Sequence, residues 1–144
     1  MILFSVITSL LSLIFALVLI YFIRRYPAGT GKQLLIWQAL KEGSRAYLKR
    51  QNYTVSFVAA ALVIILWLVF NLSTAVGFLV GAVASALAGY FGMMTAVDTN
   101  VRTTEAAKQG LARAFRVSFL GGSVTGFLVV GLALLSVSLF YFIT

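Results

Sequence analysis

The sequence predicts an all-α polytopic membrane protein with four transmembrane helices, a cytoplasmic amphipathic segment and both termini outside. Three observations carry this. Apolar residues make up 62% of the 144-residue chain and charged residues 10%, against about half and a quarter in soluble domains. The apolar residues gather into four runs, about 2–23, 53–70, 74–97 and 117–142. All eleven Lys and Arg fall within 24–50 and 102–116, between the first and second runs and between the third and fourth. A soluble chain of this size hides only about 60–70% of its surface on folding, too little for such a composition, so lipid is the expected solvent.

A bilayer core about 30 Å thick needs about 20 apolar residues at a rise of about 1.5 Å each. In lipid each backbone amide must be satisfied within its own segment, so the runs should be helices. The first, 2–23, carries no charge and ends at Arg24-Arg25, followed by Pro27, Gly29 and Gly31. No basic stretch precedes it, it exceeds the roughly 7–15 residues of a signal-peptide core, and no small-x-small cleavage site comes before Arg24, so it reads as a retained span. The second, 53–70, has Trp67 near its far end as an interfacial anchor. Asn71-Leu72-Ser73 is long enough only for a tight helical hairpin into the third, 74–97. The fourth, 117–142, closes on Phe140, Tyr141 and Phe142 as an aromatic belt. Residues 1–144 thus form one four-helix membrane segment. Both basic loops, 24–52 and 98–116, lie on one face, which the positive-inside rule makes cytoplasmic.

The loops carry some order of their own. From Lys32, the residues Leu34, Leu35, Trp37, Leu40, Ala46, Tyr47 and Leu48 recur at helical spacing with Lys41, Glu42, Arg45 and Lys49 between them. This predicts an interfacial amphipathic helix, basic side toward anionic headgroups and broken or loosened at Gly43, that feeds the second span. The second loop reads as a short helical continuation with Ala106, Ala107, Leu111, Ala114 and Phe115 on its less polar side. A net charge of +8 would suit nucleic-acid binding, but the cations flank spans instead of lining a soluble face, so no nucleic-acid partner is expected.

Little chemistry is available. There is no His, no Cys, and only the carboxylates Glu42, Asp98 and Glu105, too scattered for an Mg²⁺ cluster. Asp98 ends the third span beside Arg102 at i+4, which reads as an exposed ion pair. Glu42 and Glu105 read as solvated partners of nearby cations. Gly121-Gly122 sits in an apolar span without the Lys-Ser/Thr of a phosphate loop. Gly77, Gly81, Ser85 and Gly89 repeat every four residues, echoed by Gly122 and Gly126, which predicts tight helix–helix packing. No catalytic, cofactor-binding or metal residue is assigned.

From Asp98 onward the chain becomes recognisable. Asn100-Val101-Arg102-Thr103-Thr104-Glu105-Ala106-Ala107, Gly110-Leu111, Phe119 through Gly122, Gly126 and Val130-Gly131-Leu132 resemble the membrane-embedded, ion-pumping pyrophosphatases. Gly81-Ala82, Ser85, Ala88-Gly89, Gly92-Met93 and Ala96-Val97 look like that family's third helix, and Glu42-Gly43, Ala46-Tyr47-Leu48 and Arg50-Gln51 like its motif before the second. Ser44, Asn52 and Asp98-Thr99 are mild departures. The resemblance, over about residues 40–135, implies the outer N-terminal quarter of a pump with about sixteen helices in the cell membrane of a prokaryote. Such a pump hydrolyses pyrophosphate with Mg²⁺, in some cases with K⁺, drives H⁺ or Na⁺ outward, and works as a homodimer. Its Asp-rich signature lies on later helices, so the implied role here is a scaffold, inactive alone and without bound metal, bracing the remaining helices within the bilayer. Arg102, Lys108, Arg113 and Arg116 are candidates for concentrating pyrophosphate near the membrane. Two other readings compete. One is a self-contained four-helix transporter of the small multidrug type, which would need an intramembrane carboxylate that the first, second and fourth spans lack; the other is a small non-enzymatic membrane subunit.

Overall fold

The computed structural model describes residues 2–143, which form four α-helices: α1 (Ile2–Arg24), α2 (Lys32–Val69), α3 (Leu72–Ala107) and α4 (Leu111–Ile143). All four are long and apolar enough to cross a membrane. The helices α2 and α3 have 38 and 36 residues, or about 57 and 54 Å at 1.5 Å per residue, so each overshoots a hydrocarbon core of about 30 Å. The surplus lies at the end where the cations cluster.

That length corrects one expectation. Residues 32–52 are helical and feed the second span, as expected, and they do so as the first half of α2. Gly43 does not break it, since the helix runs through that position without interruption. A mid-helix glycine costs about 1 kcal/mol relative to alanine, a penalty that a long helix with established turns on both sides absorbs. The second loop also shrinks: α3 continues to Ala107, and only 108–110 separates it from α4. There the amides of Lys108, Gln109 and Gly110 donate to the carbonyls three residues back, at 3.0–3.2 Å, and Gly110 takes φ +119°, a conformation a side chain would resist. At the opposite end the Asn71 hairpin forms as expected. Its Oδ1 accepts from the backbone N–H and the hydroxyl of Thr74, both at 2.8 Å, and so caps α3.

The spatial order is α2, α3, α4, α1: α3 packs on α4 and on α2, α1 packs on α4, and α1 barely meets α3. This is an open row and not a closed bundle. The exposed surface is 9798 Å², against about 7,300 Å² for a soluble globule of 15.6 kDa. Its core is the α1–α4 seam of Ala16, Leu19, Ile23, Val124 and Leu128. The Ser12 hydroxyl donates to the Phe127 carbonyl at 3.0 Å across that seam, and Phe15 meets Phe127 edge-on at 4.8 Å between centroids.

Close backbone approach occurs at particular glycines. A Cβ on Gly121 would stand 2.5 Å from Cγ2 of Thr99, one on Gly92 3.1 Å from Cγ2 of Thr125, and one on Gly77 2.8 Å from the Phe140 ring, all along the α3–α4 seam. On the α1–α4 seam Gly131 would meet Leu13 at 2.9 Å and the Ser9 carbonyl at 3.2 Å. The expected stripe is therefore only partly used. A Cβ on Gly81, Gly89, Gly122 or Gly126 would meet nothing within 4 Å, although Gly89 lines a groove between α2 and α3 and Gly126 one between α1 and α4.

Candidate functional site

The polar groups of α2 and α3 converge where the two helices run past each other at the basic end. Trp37 Nε1 donates to Asp98 Oδ1 at 3.1 Å, and Lys41 Nζ reaches the same oxygen at 3.4 Å. Lys41 also lies over the Trp37 ring, 4.5 Å from its centroid. Trp37 and Lys41 are four residues apart and so share one face of α2. The Lys41 and Asp98 side chains are each 25% exposed, which places the pair between a surface bridge and a buried one.

This differs from the expected Asp98–Arg102 ion pair. The Arg102 guanidinium donates to the backbone carbonyl of Asp98 at 2.6 Å, and the carboxylate turns to α2. On a helix, an i+4 arginine can reach either acceptor; here the indole and ammonium already occupy the carboxylate. Arg102 Nε and Thr103 Oγ1 are buried without a hydrogen-bond partner among the described residues. Sequence reasoning singled out Asp98 but missed Trp37 and Lys41, which lie 61 and 57 residues away. The available signal was a Trp and a Lys at i and i+4 on the helix that precedes the hairpin.

A second cluster ties the first turn of α2 to the end of α3. Lys108 Nζ bonds Glu105 Oε2 at 2.6 Å and Gln33 Oε1 at 3.2 Å. The same two side chains crowd Gly29, whose φ of +80° already favours glycine. Glu105 thus has a cationic partner, as expected, whereas Glu42 is exposed and makes no ion pair among the described residues. The four proposed pyrophosphate-concentrating cations do not form one surface. Arg102 is half-buried on α3 and Lys108 is held by Glu105, while Arg113 and Arg116 line a separate pocket of about 470 Å³ with Tyr26.

The residues present do not fit an Mg²⁺ centre. No group of three His, Cys, Asp or Glu side chains comes together among the described residues, and two of the three carboxylates are engaged by lysines.

The motif 100–107, with Thr99 just before it, has a packing role. Thr99, Val101 and Ala106 are buried, and Thr99 fills the space left by Gly121 on α4. Just beyond the motif, the 108–110 turn folds α4 back along α3. The family model described as inorganic H⁺ pyrophosphatase matches residues 10–144. A K⁺-insensitive pyrophosphate-energized proton pump of Methanosarcina mazei is 45% identical over 135 residues, which is 92% of this chain and 20% of the relative. A second pump of that description, from Moorella thermoacetica, is 40% identical over 92% of this chain and 20% of its own length. A Clostridium tetani protein, provisionally named a K⁺-stimulated pyrophosphate-energized sodium pump, is 38% identical over 87% of this chain and 19% of its own length. The chain spans about a fifth of these relatives, and over that fifth it belongs to the inorganic H⁺ pyrophosphatase family.

Proposed function

We propose that this chain is the N-terminal scaffold portion of a membrane-bound pyrophosphatase that couples pyrophosphate hydrolysis to outward H⁺ or Na⁺ transport. The observation that carries the reading is the family match over 10–144, to relatives named as pyrophosphate-energized pumps. The chemistry of the segment supports the division of labour. It holds no assembled carboxylate cluster among the described residues, so the Mg²⁺ of the complete enzyme would be held by residues outside this segment. The relatives' names include both K⁺-insensitive and K⁺-stimulated pumps, so either K⁺ dependence suits the family.

In this reading the basic ends of the helices face the cytoplasm of a prokaryotic cell and the Asn71 hairpin faces outside, following the charge bias. The open sides of α2 and α3, with Gly81 and Gly89 unoccupied, receive the remaining helices of the pump, and the complete protein forms a homodimer. The self-contained transporter reading gives way to the family match, and a small non-enzymatic subunit becomes the same proposal if the other helices are a separate chain. The test is Mg²⁺-dependent phosphate release from pyrophosphate, comparing the purified 144-residue chain with the complete protein. The expected result is release by the complete protein and none by the chain. Release by the chain alone would overturn the scaffold assignment; silence from both would overturn the enzymatic one.

A further inference from the structure

Because α1 and α3 are second neighbours in the row, both resting on α4, a trough of about 510 Å³ runs between them toward the basic end. Its lower wall is apolar, from Leu17 and Ile20 of α1 and Met94 of α3. Its upper rim carries Arg24 of α1 and Lys41 and Arg45 of α2. Asp98 is the acidic group on that rim and is already taken by Lys41 at 3.4 Å. Two guanidinium groups therefore remain uncompensated, and among the described residues neither the Arg24 nor the Arg45 side chain holds a hydrogen bond or ion pair.

We infer that this trough is a binding site for an anionic phospholipid, its phosphate held between Arg24 and Arg45 and an acyl chain lying along Leu17, Ile20 and Met94. Guanidinium forks match phosphate oxygens in geometry and charge. The end of the helices where cations concentrate is also where headgroups lie, and basic groups there draw anionic lipid. A free phosphate would satisfy the arginines but not the apolar wall. A zwitterionic lipid would bring a second positive charge to a rim that already carries two unpaired ones. These two features together select a phospholipid with net negative charge. The inference does not depend on pyrophosphate chemistry, and its readout is lipid and not turnover.

The experiment reconstitutes the full-length protein carrying this segment in nanodiscs of equimolar phosphatidylglycerol and phosphatidylcholine, and counts co-purifying lipid by native mass spectrometry. The wild type is expected to retain phosphatidylglycerol in preference to phosphatidylcholine. The Arg24→Gln/Arg45→Gln variant should lose at least 5-fold of that preference, on the scale of two phosphate contacts removed. Arg24→Lys/Arg45→Lys should keep most of it, which separates charge from misfolding. Met94→Trp, which fills the apolar wall and leaves the cations, should lower retention of both lipids at this site. Excess inorganic phosphate should not displace the lipid. The inference is overturned if the Gln variant retains the wild-type preference, if phosphate displaces the lipid, or if the wild type retains no lipid because other helices of the protein cover the trough.

Discussion

The two flanks of α3 are built differently. Toward α4, and from α4 on to α1, the helices meet through small residues and complementary bulk: Thr99 against Gly121, Thr125 against Gly92, Leu13 against Gly131. Toward α2 the contact is anchored at the basic end by Trp37, Lys41 and Asp98, and further along opens into a groove of about 660 Å³ lined by Val55, Ala59, Ser85 and Gly89. Leu48 is the one buried residue of α2 among those described, and none of its most apolar stretch is covered. In lipid no hydrophobic force pulls helices together, so association depends on close packing and polar contacts. The α1–α4–α3 side has both. The α2 edge has mainly the second, which leaves its apolar length free for lipid or for other helices of a larger assembly.

Substitutions that thicken the tight seams should break this contrast most. Gly121→Val and Gly131→Val place atoms within about 3 Å of Thr99 and Leu13, and each should destabilise the chain by about 1–3 kcal/mol, measured by denaturant titration in detergent. Wild-type stability for both would mean that the seams are not packed as described. The polar anchor of α2 should matter less. A double-mutant cycle of Asp98→Asn and Lys41→Met should give a coupling of about 0.2–1 kcal/mol, the range for partly exposed pairs, and Asp98→Asn alone should shift Trp37 emission. Zero coupling with unchanged emission would detach α2 from α3 at that point.

The least disruptive should be Gly81→Ala and Gly89→Ala, which meet nothing within 4 Å and should cost the isolated chain nothing, since alanine is favoured over a mid-helix glycine by up to about 1 kcal/mol. The same pair becomes informative in the complete protein. There a clear loss of stability, absent in the isolated chain, would mean that further helices seat on these glycines; no difference would mean that lipid does.

Much of this was legible in the sequence because lipid imposes simple constraints. Uncharged runs of the right length gave the spans, the Asn71 turn gave the hairpin, and Pro27, Gly29 and Gly31 marked the break before α2. Helix lengths were harder. Nothing local distinguishes an amphipathic helix that ends at Gly43 from one that runs through it, since tertiary support decides whether a penalty of about 1 kcal/mol is tolerated. The partners of Asp98 were out of reach for a different reason. Arg102 is a local i+4 neighbour visible in the sequence, whereas Trp37 and Lys41 arrive only through the crossing of α2 on α3. The four-residue glycine repeat raised the same problem. Spacing says which residues share a helix face, not whether the face is occupied, and the structure uses Gly77 and Gly92 while leaving Gly81 and Gly89 open.

Pairwise cysteine cross-linking tests the row order most directly, and the absence of native Cys makes it clean. A Cβ on Gly92 would lie 3.8 Å from Cβ of Thr125, about the mean separation in disulfides. Gly92→Cys/Thr125→Cys should therefore oxidise readily in membranes. Val58→Cys/Val129→Cys, joining α2 to α4, should not, since those helices do not meet. Bridging by the α2–α4 pair together with failure of the α3–α4 pair would contradict the open row and the scaffold account built on it.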